Sequence, residues 1–172
     1  MSKQMYYWNP DYEIPMYTNQ YIHYGHTTFD KDKFQQIRNV PNESLIDQLW
    51  VKPSGGLWAS ATDARYGWKD WCEEEEFREC TEENSFIFHF KQGAKVFLID
   101  GLTSLNKLPR RDTGRIGPNL YLIDFEQCLR NGIDAIELMI YGPARNELYW
   151  ALYGWDCDSV LVMDPDCIEV EE

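Results

Sequence analysis

The sequence contains no run of about 18 consecutive apolar residues, so a membrane-spanning helix is not expected. Its opening stretch, MSKQMYYWNPDYEIPMY, lacks the apolar segment and small-residue cleavage site of an export signal. A cytoplasmic location is the expectation that follows. There is no C-x-x-C pair, and the five cysteines (Cys72, Cys80, Cys128, Cys157 and Cys167) are odd in number and irregularly spaced. That pattern argues against a zinc cluster or a redox pair and for reduced thiols. Basic residues are scarce: 16 Lys and Arg stand against 29 Asp and Glu, a formal charge of −13. Nucleic-acid backbones are bound by lysine and arginine displacing counterions, so a nucleic-acid partner is not expected. No G-x-G-x-x-G opens a helix, which leaves a Rossmann dinucleotide fold without support. Internal repeats and low-complexity segments are absent.

What is present is the material of a core: 44% hydrophobic and 15% aromatic residues in 172. That length suits a single domain over 1–172, with 1–18 as an extended N-terminal arm punctuated by Pro10 and Pro15 and 19–172 as the core. QYIHYG reads as a short strand ending at Gly25, and TTFDKDKFQQIRN as a helix with a Thr or Asp cap. NESLIDQLW is a helix or loop, KPSGGLWAS leads through glycines into a strand, and YGWKDWCEEEEFREC is a helix with Trp68, Trp71, Cys72 and Phe77 on one face. SFIFHF and AKVFLID read as strands joined by QGA in a hairpin. A basic loop over 106–117 (Lys107, Arg110, Arg111, Arg115) precedes LIDFEQCLRNG, a helix closed by Asn131-Gly132. IDAIELMIY is a strand, ELYWALYGWD a short helix or loop, SVLVMD a buried strand and CIEVEE an edge strand. The order suits an α+β domain.

Three clusters combine residue types that packing alone explains poorly. The first is Tyr21-Ile22-His23-Tyr24-Gly25-His26, two histidines around a strand end. The second is Lys52-Pro53-Ser54-Gly55-Gly56-Leu57-Trp58-Ala59-Ser60, followed by Tyr66, Trp68 and Trp71. Its paired glycines let a backbone approach a ligand closely, and its aromatic side chains can wall a flat ring. The third, Gly154-Trp155-Asp156-Cys157-Asp158-Ser159, sets two aspartates two apart at a strand entrance, a spacing that places both on one side of an extended chain. Each cluster also has a plain structural reading: a hydrogen-bonded strand histidine, core tryptophans, and aspartates that favour turns. The histidine spacing shows no third ligand, so no metal is expected.

In this order the clusters resemble the ADP-ribosyltransferase superfamily, in the branch of diphtheria toxin and the poly-ADP-ribose polymerases. His23-Tyr24-Gly25 is similar to the first motif of that branch, Gly55-Gly56-Leu57-Trp58-Ala59-Ser60 to the Gly-rich second, and Asp158 before Ser-Val-Leu-Val-Met-Asp to the acidic third. An aspartate stands where glutamate is usual, and His-Tyr-Gly where His-Gly-Thr is common. The resemblance covers roughly residues 20–170. It implies two small, mostly antiparallel sheets packed around a cleft with flanking helices, and an NAD-dependent mono-ADP-ribosyltransferase or NAD glycohydrolase with a protein acceptor. It further implies that His23 bonds the adenosine ribose, that the Gly25 backbone holds the nicotinamide carboxamide with Ser60, and that Tyr24 and Gly56 also belong to the NAD-binding set. The nicotinamide ring would stack on Tyr66, Trp68 or Trp58. Asp158, with Asp156 in reserve, would stabilise charge on the ribose. Small proteins of this kind act as toxins, antiviral effectors or phage-encoded modifiers.

Two other readings follow from the residues. A non-catalytic, acidic binding or inhibitor protein would use the surplus of carboxylates against a basic partner. A hydrolase built on Asp156, Asp158 and His23 lacks a Ser or Cys nucleophile motif.

Overall fold

Apolar residues set the strands of this chain, in nearly unbroken runs for VFLI and SVLV and in alternation for SFIFHF. The computed structural model describes residues 6–11, 14–15, 20–41, 51–112, 120–142 and 144–172. The elements in chain order are β1 (Tyr6–Tyr7), β2 (Ile14–Pro15), β3 (Tyr21–Tyr24), β4 (Leu57–Ala61), α1 (Trp68–Glu74), β5 (Ser85–Phe90), β6 (Val96–Ile99), α2 (Leu102–Leu105), α3 (Phe125–Arg130), β7 (Ala135–Leu138), α4 (Arg145–Ala151), β8 (Ser159–Val162) and β9 (Ile168–Val170). β1 and β2 pair as a short antiparallel ribbon, and the others form one seven-stranded sheet in the order β6-β7-β8-β4-β3-β5-β9. Every pairing in it is antiparallel except that of β6 with β7. Among the described residues the fold is therefore mixed α and β, built on one curled seven-stranded sheet beside that ribbon.

Strand registers sort the core into two layers. Val96, Leu98, Ala135, Val160, Val162, Leu57, Ala59, Tyr21, Phe86, Phe88 and Phe90 share one face and one apolar cluster. That cluster takes side chains from β6 at one end of the sheet and from β5 and β9 at the other, so the sheet curls about it. Within it Tyr21 donates its hydroxyl to the buried carboxylate of Glu137 at 2.8 Å. The opposite face (Phe97, Ile99, Ile136, Leu138, Leu161) packs beneath Phe125 and Cys128 of α3, Leu148 and Ala151 of α4, and Trp155. β8 lies inside the sheet, between β7 and β4, with both faces covered, which is why SVLVMD reads as a nearly unbroken apolar run. CIEVEE supplies the edge strand β9, as its alternation indicates.

Local signals succeeded at α3, where Asp124 caps the helix by accepting the Gln127 N–H, and Gly132, at φ +85°, turns the chain out of it. Gly67 precedes α1, where Trp68 and Trp71 stack at 5.0 Å with Phe77 against both. Two expectations fail for tertiary reasons. The helix read over TTFDKDKFQQIRN is only a 3-10 turn at Lys31–Lys33, opened by the Asp30 side chain accepting the Asp32 N–H. Beyond it the chain runs extended because Arg38 and Ser54 exchange backbone hydrogen bonds of 2.9 and 3.0 Å. The hairpin read between SFIFHF and AKVFLID does not form, although both strands do. β5 pairs with β3 and β9, whereas β6 pairs in parallel with β7 across a crossover that contains α2 and α3. The segment 42–50, which is the whole of NESLIDQLW, lies outside the described residues, as does Arg115 of the basic loop. In the described part of that loop Arg110 lies over Tyr121, and Arg111 donates to the Val40 carbonyl. The N-terminal arm meets β6, where Trp8 donates its N–H to the Val96 carbonyl and sets its ring against Phe97.

Candidate active site

β8, β4 and β3 are successive in the sheet, so the segments carrying all three sequence clusters lie side by side. Their ends open onto a cleft of about 980 Å³. One wall is the end of β3 and the turn after it, with His23, Tyr24, Gly25 and His26. The other is Lys52, Gly56 and Trp58, with Trp68 of α1, Arg78 beyond α1, and Asp156, Cys157 and Ser159 leading into β8.

Of the residues singled out from sequence, the cleft gathers His23, Tyr24, Gly25, Gly56, Trp58, Trp68 and Asp156. Ser60, Tyr66 and Asp158 are not among its lining residues. Ser60 is buried; its hydroxyl donates to the Asp158 carbonyl and accepts from the Trp68 N–H, each at 2.9 Å, so it ties β4 to α1 and to the start of β8. Tyr66 stacks on Tyr141 at 4.6 Å and gives its hydroxyl to Glu74. Burial foremost, then Glu74, raises its pKa. Asp158 turns its carboxylate to the backbone N–H of Tyr141 at 2.9 Å, while its own N–H goes to the Tyr66 carbonyl. Burial raises its pKa, and backbone donors led by Tyr141 act against that rise. The expectation that Asp156 and Asp158 point the same way is thus corrected. β8 begins only at Ser159, so strand alternation does not govern the two residues before it.

The paired glycines have a different role from the one inferred. A Cβ on Gly55 would stand 2.3 Å from the Gln36 carbonyl oxygen, and one on Gly56 2.6 Å from Leu161 Cδ1, with both residues at positive φ. They allow the chain to approach itself rather than a ligand, although Gly56 does border the cleft. The Gly25 N–H is given to the Asn84 carbonyl at 2.8 Å.

His23 has both ring nitrogens engaged. Nδ1 lies 2.7 Å from the Trp58 carbonyl oxygen, and Nε2 lies 2.9 Å from Nδ1 of His26, with the two rings stacked. Burial is the largest influence on His23 and lowers its pKa; the hydrogen bond to Trp58 raises it, and His26 and Arg78 lower it further. Contact of His23 with a ribose would require His26 to give way.

The sequence reading gave the cations no role: Lys52 stands in the second cluster, and Arg78 was not singled out. Lys33 pairs with Asp30 at 3.2 Å, but Lys52 and Arg78 have no carboxylate within 4.0 Å among the described residues. The Lys52 ammonium sits 5.4 Å from the Trp58 ring centre and 6.0 Å from that of Trp68, and the Arg78 guanidinium 5.4 Å from Trp68. Burial lowers the Lys52 pKa while the charge of Asp156 acts against it. In a chain of charge −13, two cations held on aromatic faces without carboxylate partners form a local positive site. The signal for Arg78 was present: it is the one basic residue in EEEEFREC. Cys157 also lines the cleft, but burial pushes its thiol up to about 12, so it is not a thiolate nucleophile. Among the described residues no group of three or more His, Cys, Asp or Glu could hold a metal ion, and no helix is long and apolar enough to cross a membrane.

Comparison of the chain with protein-family models, with curated proteins and with solved structures finds no match.

Proposed function

We propose that the protein binds NAD in this cleft and transfers its ADP-ribose to a macromolecular acceptor, or to water. The observation that carries the reading is the meeting of β3, β4 and β8, with their three motifs, at one cleft walled by Trp58 and Trp68 and charged by Lys52 and Arg78. Those features suit a dinucleotide: aromatic faces for its rings and cations for its two phosphates. Trp58 and Trp68 stack the nicotinamide or the adenine, and Lys52 and Arg78 meet the pyrophosphate.

Breaking the bond from ribose to nicotinamide develops positive charge on the sugar. Asp156, the reserve carboxylate of the third cluster and the one that borders the cleft, stabilises that charge, while Asp158, which the resemblance assigned to this role, accepts the Tyr141 N–H. An electrostatic contribution of this kind is worth about 3–4 kcal/mol, a few hundredfold in rate. The experiment is titration with NAD read by tryptophan fluorescence, followed by mass spectrometry of released nicotinamide. Quenching with nicotinamide release is expected, and the absence of both refutes the reading.

One observation favours a second reading, a non-catalytic protein that takes a basic partner. Glu73, Glu75, Glu76, Glu79, Glu82 and Glu83 are exposed in and beyond α1 and make no ion pair among the described residues. Binding of that kind weakens steeply with salt and leaves NAD intact.

A further inference from the structure

With both rings neutral, the histidine pair at the mouth of β3 has one arrangement of protons that makes both of its hydrogen bonds. The Trp58 carbonyl can only accept, so Nδ1 of His23, 2.7 Å away, carries a hydrogen and donates it. Burial foremost, with the nearby Arg78 guanidinium acting the same way, keeps His23 below its ordinary pKa, so at neutral pH the ring holds that one proton and Nε2 presents a lone pair. Nε2 faces Nδ1 of His26 at 2.9 Å, and a hydrogen bond there requires His26 to donate from Nδ1. In the neutral imidazole of His26 the lone pair then falls on the remaining nitrogen, Nε2. His26 is exposed, borders the cleft, and has no other hydrogen-bond partner among the described residues. The backbone of β4 thus fixes the tautomer of one imidazole, and that imidazole fixes the tautomer of the next.

We propose that His26 is the general base of the cleft, positioned by His23 and the Trp58 carbonyl, and that it activates a hydroxyl acceptor for ADP-ribosyl transfer. This rests on the NAD reading above and narrows its acceptor. A carboxylate acceptor is already ionised and needs no base, whereas the hydroxyl of a side chain, or water, must lose a proton as it attacks. In the step, His26 Nε2 takes the hydroxyl proton while the acceptor oxygen bonds to the anomeric carbon of the ribose. The bond from that carbon to the pyridinium nitrogen breaks, its electron pair stays with the nitrogen, and neutral nicotinamide leaves. The imidazolium of His26 keeps its hydrogen bond to His23 and returns its proton to solvent, to which it is exposed. No redox partner is needed, and charge balances with one proton released. Asp156 and His26 then divide the work, one countering charge on the sugar and the other accepting a proton.

The test uses the full chain with NAD, and with water or methanol as the hydroxyl acceptor. His26→Gln keeps a side-chain donor for His23 but cannot take a proton. It is expected to bind NAD within about twofold of the native protein by tryptophan fluorescence. Nicotinamide release should fall about 100-fold or more, the lower range for loss of a general base. In His26→Ala, added imidazole is expected to restore part of the rate in proportion to its concentration. Nitrogen NMR of the imidazoles gives a readout that does not depend on NAD: both rings should carry the proton on Nδ1 and a bare Nε2. Full turnover in His26→Gln, or a His26 proton found on Nε2, overturns the base assignment alone. Failure of the native protein to bind NAD overturns the parent reading, and the tautomer measurement still judges the base.

Discussion

Replacing the two aspartates before β8 one at a time separates a residue that holds the site together from one that acts in it. Asp158 accepts the Tyr141 N–H at 2.9 Å, and its own backbone bonds to Tyr66 and Ser60. Asp158→Ala leaves the Tyr141 donor unpaired in a half-buried loop, at a cost of about 1–3 kcal/mol. For a chain of this length each kcal/mol lowers the melting temperature by about 2–4 °C, so a loss near the middle of that range gives a drop of about 4–8 °C. Asp158→Asn keeps Oδ1 as an acceptor and removes a carboxylate that burial disfavours, so it should cost less than about 1 kcal/mol. Asp156 is half-exposed, borders the cleft and makes no hydrogen bond or ion pair in the described residues. Asp156→Asn should therefore leave stability within about 0.5 kcal/mol and lower nicotinamide release a few hundredfold. Thermal melting by circular dichroism and nicotinamide release at saturating NAD read the two effects separately. A well-folded Asp158→Asn that loses turnover, beside an active Asp156→Asn, would refute the assignment.

Two further outcomes test the reasoning on backbone and protonation. Gly55→Ala forces a Cβ to within 2.3 Å of one backbone carbonyl oxygen, whereas Gly93→Ala, also at positive φ, meets nothing within 4 Å. Urea unfolding should show about 1–2 kcal/mol of loss at Gly93 from backbone strain and about 3 kcal/mol or more at Gly55, and equal losses would contradict the packing given for the Gly-Gly pair. The lowered pKa of His23 means that the unfolded chain takes up its proton first as pH falls. Stability from this residue is complete above the unfolded value of about 6.5 and declines as the pH drops from there to the depressed native value. Urea midpoints measured down that window should fall in the native protein and fall less in His23→Gln; identical slopes would show that His23 is not desolvated.

Much of the fold was legible because its signals are local. Asp124 and Asn131-Gly132 bracket α3, the apolar run of SVLVMD demands cover on both faces, and the alternation in CIEVEE marks an edge. The Trp68–Trp71 pair follows from helical spacing, whereas Phe77 reaches it from beyond α1, which ends at Glu74 before a turn with Glu76 at positive φ. Phe29, Phe34 and Ile37 have nearly helical spacing too, but the backbone exchange between Arg38 and Ser54 takes the hydrogen bonds a helix there would need. The same limit separates β5 from β6: each reads correctly as a strand, and only the rest of the sheet decides their partners.

The candidate site divides in the same way. Sequence by itself determined the residue types of three clusters, their order, and a chain acidic enough that any cation in a cleft stands out. Tertiary structure alone decided that Asp156 borders the cleft while Asp158 binds backbone, that Ser60 and Tyr66 are structural, and that Lys52, Arg78 and His26 join the site. The reason is physical. Residue type fixes what a side chain can donate, accept or stack upon, but its direction is set by which backbone groups and rings reach it first. Those partners come from strands and loops distant in the chain.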